Sequence, residues 1–148
     1  MTAALAPTRR FESVTTGDQL PELRVEITRT LIVAAAIASR DYQDVHHDEV
    51  LARRQGMPGI FMNILASNGF VGRYVTDWAG PEAMVRRIAI RLGAPNFAGD
   101  VMRISGTVSS VERRDGEGRV RIEVRGSNSA GDHVTGTVDV ALPLADAG

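Results

Sequence analysis

The chain has 148 residues, 43% of them hydrophobic, with a formal net charge of −1 and no cysteine. That length suits one compact core rather than two domains, and the near-neutral charge gives no broad attraction for nucleic acid or an anionic membrane surface. The lack of cysteine excludes a disulfide framework and thiolate metal sites and fits a reducing compartment, so the cytoplasm is the expected location.

Residues 1–20 lack the continuous apolar run of a secretion signal and read as a flexible N-terminal arm ahead of one domain over residues 21–145. LRVEIT alternates apolar and polar positions and predicts a half-buried strand with Leu23, Val25 and Ile27 on one face. TLIVAAAIAS predicts a short buried helix, far too short to span a bilayer. In DEVLARRQG the acids Asp48 and Glu49 precede the bases Arg53 and Arg54, with Gly56 at the stop, the charge order of a second short helix.

From Phe61 to Trp78, apolar residues recur at a helical period through Ile64, Leu65, Val71 and Val75, and Gly80-Pro81-Glu82 ends the run. This predicts the longest helix. Gly69 and Gly72 inside it each cost about 1 kcal/mol relative to alanine, which implies that another backbone or a ligand passes close by. Four β-rich segments follow, MVRRIAIRL, VMRISGTVSSV, RVRIEVRGS and HVTGTVDVAL, separated by turns such as RDGEG and SAGD. The last residues, LADAG, read as a frayed end. One strand, three helices and four antiparallel strands make an α+β order in which a curved antiparallel sheet wraps a long central helix, the single hot-dog arrangement.

The densest chemistry lies between the first two helices, where SRDYQDVHHDEV places four acids and two of the three histidines from Asp41 to Val50. Several uses compete. Asp44 or Asp48 can cap a helix, with the histidines merely exposed. A metal site is disfavoured because the adjacent His46 and His47 cannot easily direct both rings to one ion, so no metal is expected. A hydrolase triad would need a nucleophile elbow, and no G-x-S-x-G is present. General acid–base chemistry remains: Asp41 and His46, five residues apart, can activate and orient a water molecule. All 17 basic residues are arginine, so a lysine Schiff base is excluded as well.

The segment RDYQDVHHDEVLARRQGMPGIFMN resembles the hydratase motif of the MaoC-like, R-specific enoyl-CoA hydratases, matching it at Asp41, His46 and Asp48. Gln43 and Asp44 stand where that motif has asparagine and proline. QDVHHD together with NILASNGFVGRYVTDWAGPEAM is similar to the small MaoC-like subunits of bacterial steroid enoyl-CoA hydratases of cholesterol side-chain degradation, and the resemblance spans nearly the whole folded chain. It implies a syn addition of water across the α,β double bond of a CoA thioester, with the water held by Asp41 and His46. It also implies an oxyanion donor in the backbone N–H of Asn63, where most relatives carry glycine in a His-Gly pair that is Met62-Asn63 here. Val71, in place of a serine that many relatives carry, would make the substrate pocket more apolar. No cofactor is implied beyond the coenzyme A of the substrate. The partner implied is a larger MaoC-like subunit, in a heterodimer or heterotetramer, with a homodimer of general straight-chain hydratase type, or a non-catalytic supporting subunit, as alternatives.

Overall fold

The computed structural model describes residues 7–145. Strand β1 (Gln19–Glu26) leads into helix α1 (Arg29–Ala38), then the short α2 (Glu49–Arg54) and the long α3 (Ile64–Ala79). Strands β2 (Met84–Leu92), β3 (Val101–Arg114), β4 (Glu117–Asn128) and β5 (Gly131–Leu142) complete one antiparallel sheet in the order β1-β3-β4-β5-β2. Register shifts interrupt all four strand pairings, and such bulges bend a sheet. The predicted α+β hot-dog order is therefore the observed one. Asp115 and Gly116 both have positive φ (52° and 75°) in the two-residue turn joining β3 and β4, the primed geometry that matches strand twist.

Each strand contributes its alternate residues to the core: Met102, Ile104 and Val108 from β3, Val120, Ile122 and Val124 from β4, Val138 and Val140 from β5. Helix α3 supplies the complementary stripe of Ser67, Val71, Tyr74, Val75 and Ala79. The helix begins at Ile64, three residues later than the periodicity predicts, because Asn63 is its N-cap and Phe61 is tied in an isolated bridge to Phe97. Ile64 and Leu65, expected inside, are 54% and 52% exposed in the first turn. Gly72 does lie against the sheet, where an added Cβ would come within 3.3 Å of Ile88. At Gly69 an added Cβ would meet nothing within 4 Å among the described residues, so close approach is found at one of the two glycines. Helix α1 likewise buries only one stripe, Ile32 and Ala36, and leaves Ile37 58% exposed.

The flexible arm expected over residues 1–20 needs correction for its described part, while residues 1–6 lie outside the described residues. The Arg9 backbone donates to Ala79 O (2.9 Å), its guanidinium sits 4.9 Å from the Trp78 ring, and the Phe11 backbone donates to Pro143 O (3.0 Å). Val14 and Leu20 are buried in the core, and β1 already begins at Gln19. Phe11, Val14 and Leu20 follow neither a helical nor a strand period, which is why a periodicity reading passes over them. Pro21 interrupts the strand pattern at a bulge of the edge strand β1, a position where its missing N–H is tolerated. At the other end Ala145 is not frayed: its N–H donates to Glu12 (2.8 Å), a bond that holds the Glu12 carboxyl below its ordinary value. Residues 146–148 lie outside the described residues.

His133 of β5, not singled out by the sequence, is 2% exposed and joins three parts of the fold. Its Nδ1–H donates to Ala94 O and its Nε2 accepts from the Ser67 hydroxyl of α3, both at 2.7 Å. Burial pushes this imidazole below its ordinary value, against an opposing contribution from the Ala94 bond. The folded state thus binds its proton less readily than the unfolded chain, whose histidines titrate near about 6.5. The resulting stabilisation is complete above that pH and is lost as pH falls below it. Denaturant melts should therefore show stability declining on acidification below about pH 6.5, with a shallower decline in His133→Gln.

Candidate active site

The site begins where α1 ends. Arg40 adopts the left-handed conformation (φ 57°), its N–H donates to Ile37 O (3.1 Å), and the Asp41 N–H donates to Ala36 O (2.9 Å). This paired closure of the last helical turn usually employs glycine. It turns the chain sharply and fixes Asp41 beside the helix end. A 3-10 turn over Asp44–His46 then carries His46 inward, where its side chain is 7% exposed. Both backbone polar groups of Phe61 grip this turn: its N–H donates to Val45 O (3.1 Å), and its carbonyl accepts from His46 Nδ1 (2.7 Å). The Phe61 ring also packs edge-on against the imidazole, at 5.0 Å between centroids.

The carbonyl at Nδ1 decides the tautomer. A carbonyl can only accept, so Nδ1 carries the proton and, in the neutral ring, Nε2 presents a lone pair. That lone pair faces Asp41 Oδ2 at 3.4 Å. Two acceptors face each other at a distance too long for a strong direct bond, an arrangement suited to a molecule with two hydrogens to donate. Water is such a molecule.

The N-cap of α3 completes the site. The Asn63 Oδ1 accepts from the Ala66 N–H (3.0 Å), while its Nδ2 donates to Ser39 Oγ (2.8 Å) and Asp41 Oδ2 (3.1 Å). Asn63 is 1% exposed. The structure thus brings together three predicted residues, Asp41, His46 and Asn63. Val71, eight residues further along α3, is fully buried in the core cluster. His47 points away from His46 onto an outer groove of about 740 Å³ between α1 and α2, lined also by Val33, Ile37 and Ile60. Asp48 is a cap, accepting from the N–H groups of Val50 and Leu51 at 2.9 Å each, and Glu49 pairs with Arg29 and Arg53.

Three contributors escape a reading of the sequence: the Ser39 hydroxyl, the Phe61 carbonyl and the Asn63 carboxamide. The asparagine could have been suspected as a cap, since Asn stands just before an apolar periodic run. Nothing local signals the other two, which meet the site across 24 and 15 residues of chain, Ser39 by way of Asn63 and Phe61 at His46.

A half-buried aspartate facing a buried histidine beside the start of a helix wrapped by an antiparallel sheet defines a hot-dog protein with a polar aspartate–histidine site. Residues 10–130 match the model of the MaoC like domain. The chain is 48% identical over 126 residues, covering 85% of it and 95% of the relative, to the 3-oxo-4,17-pregnadiene-20-carboxyl-CoA hydratase beta subunit of Mycobacterium tuberculosis (strain ATCC 25618 / H37Rv). Among solved structures it resembles a chain of the ChsH1-ChsH2 complex from Mycobacterium tuberculosis (TM-score 0.82, 47% identity, covering 86% of this chain and 98% of that one). The unliganded R-hydratase PhaJ1 from Pseudomonas aeruginosa shares the fold at 20% identity (TM-score 0.83, covering 92% and 86%). The chain belongs to the MaoC-like family, whose enoyl-CoA hydratase activity its site residues can support.

Because Asp48 serves two free N–H groups at the start of α2, Asp48→Ala should lower unfolding free energy by about 1 kcal/mol, while Asp48→Ser stays near wild type. Urea titration of the two variants checks this.

Proposed function

We propose that this chain is the catalytic small subunit of an enoyl-CoA hydratase that adds water across the α,β double bond of a steroid side-chain CoA thioester. The carrying observation is the facing pair of acceptors, Asp41 Oδ2 and His46 Nε2 at 3.4 Å, in a chain 48% identical to a steroid hydratase subunit. Water donates one hydrogen to each. As its oxygen attacks the β-carbon, one member of the pair takes its proton, and that proton is then passed to the α-carbon on the same face, so that H and OH add across the double bond. Negative charge develops on the thioester oxygen. The Asn63 backbone N–H has no acceptor among the described residues and lies at the N-terminus of α3, where unpaired donors and the helix dipole favour an anion. It is assigned the oxyanion. Val71, apolar and fully buried eight residues beyond Asn63 along α3, is assigned to the lining of a pocket for a bulky hydrocarbon.

No cofactor beyond the coenzyme A of the substrate is required, since proton transfer and backbone dipoles supply the electrophilic help. The cysteine-free composition supports a cytoplasmic location, and no helix among the described residues is long and apolar enough to cross a membrane. A larger MaoC-like subunit is the partner. Support comes from the complex formed by the 47%-identical chain, from β2 as an open sheet edge, and from the exposed Ile64, Leu65, Met84 and Leu92.

Asp41→Asn and His46→Ala should each lower turnover by about a hundredfold or more in a folded protein, whereas His47→Ala retains most activity. Steady-state hydration assays on a steroid side-chain enoyl-CoA and on a short straight-chain enoyl-CoA decide both the residues and the substrate. Near-normal activity of folded Asp41→Asn sinks the assignment. Co-expression with the larger MaoC-like subunit should yield a stable mixed complex, active after chelator treatment. Full steroid hydration by this chain alone, unchanged by the partner, contradicts the two-subunit reading.

A further inference from the structure

We infer that the Asn63 side chain is a positioning residue for Asp41, so that the residue which caps α3 also aims the carboxylate of the catalytic pair; this rests on the hydratase reading above. Three of the four hydrogen bonds open to the carboxamide are made, including those from both of its donors. Oδ1 accepts from the Ala66 N–H at 3.0 Å, and the two Nδ2 hydrogens go to Ser39 Oγ at 2.8 Å and Asp41 Oδ2 at 3.1 Å. Ser39 takes the acceptor part toward Asn63 because its own hydrogen is directed at Ala35 O (2.7 Å), with Ala36 O at 3.2 Å. A flip of the amide would set Oδ1 against a carboxylate oxygen and Nδ2 against the Ala66 N–H, two repulsions at once. The cap therefore dictates which way the donor points.

The oxygen that receives this donor is the one facing His46 Nε2 at 3.4 Å. The other, Oδ1, has among the described residues only a long contact with the Gln43 N–H, at 3.4 Å. Asn63 Nδ2 is thus the short side-chain anchor that sets the Asp41 carboxylate against the imidazole. Buried at 1% exposure, it works where water competes poorly and a hydrogen bond to a charged group is strong. A glycine, expected here from the family pattern, has no side chain to do this. The same residue therefore places two parts of the reaction: its N–H lies at the helix start, and its carboxamide holds the carboxylate of the pair.

The test separates capping from aiming in the co-expressed two-subunit enzyme. Asn63→Ser and Asn63→Asp both keep an oxygen for the Ala66 N–H; Asn63→Ser should therefore unfold near the wild-type temperature, whereas Asn63→Asp, which buries a second carboxylate beside Asp41, unfolds earlier. Serine lacks the donor to Asp41, and aspartate adds a second carboxylate beside it. The expected result is a fall in kcat of about tenfold for Asn63→Ser and a larger fall for Asn63→Asp, with KM nearly unchanged. Wild-type kcat in both folded variants, with Asp41→Asn inactive in the same assay, would overturn the positioning role and leave the hydratase reading intact. In Asn63→Ser, a kcat loss matched by lost thermal stability also counts against it, as do equal kcat losses in the two variants. If the wild-type complex hydrates neither enoyl-CoA, it is the hydratase reading that fails.

Discussion

Seating α3 against the concave face of the sheet is the constraint from which the site derives its geometry. Val71, Val75 and Ala79 meet the inward residues of the strands, among them Ile104, Ile122 and Val138, all fully or almost fully buried. Each fully buried valine or isoleucine contributes about 1.5–3 kcal/mol relative to exposure, so rotating or sliding the helix would forfeit several such terms together. The Ser67–His133 hydrogen bond adds a directional pin. An apolar stripe can slip by a fraction of a turn at modest loss, whereas a buried hydroxyl and imidazole tolerate little displacement before both are left unpaired.

With the helix held, its N-terminus becomes a fixed point in space, and the Asp41–His46 pair is built around it by hydrogen bonds rather than by apolar packing. Asp41 hangs from the closing turn of α1 and from the Asn63 cap, and His46 hangs from the Phe61 carbonyl. Two stretches of chain, residues 36–46 and 61–63, are thereby joined in one polar frame. The left-handed Arg40 is the strained element that makes this possible, since non-glycine residues adopt that conformation at a penalty of about 1–2 kcal/mol. Strain of this kind persists where surrounding contacts over-determine the backbone, as they do here.

The arginines have a different task. Arg121 makes two hydrogen bonds to Asp139, at 2.7 and 3.0 Å, Arg125 pairs with Asp132 at 2.6 Å, and Arg103 with Glu22 at 2.8 Å, all across neighbouring strands on the wet face of the sheet. Such exposed pairs add little stability individually. At the β2 edge the exposed apolar Met84 and Leu92 offer a place where a second hot-dog subunit can be accommodated.

The sequence by itself determined the order of elements, the wet and dry faces of β3, β4 and β5, and the choice of Asp41 and His46 as the pair proposed to react. Each of these is written in a short window: a period of two, a period near 3.6, or a spacing of five residues joined to a family motif. The packing of residues 7–20, the exposure of Ile64 and Leu65, and the contributions of Ser39, Phe61, Asn63 and His133 were decided only by tertiary structure. Phe11 and Val14 lack periodicity, and Ile64 shares the angular position of the buried Val71, so local pattern cannot say which of them meets a neighbour. Hydrogen bonds between residues 22 to 66 positions apart depend on where the folded core sets two backbones, and no local propensity encodes that distance.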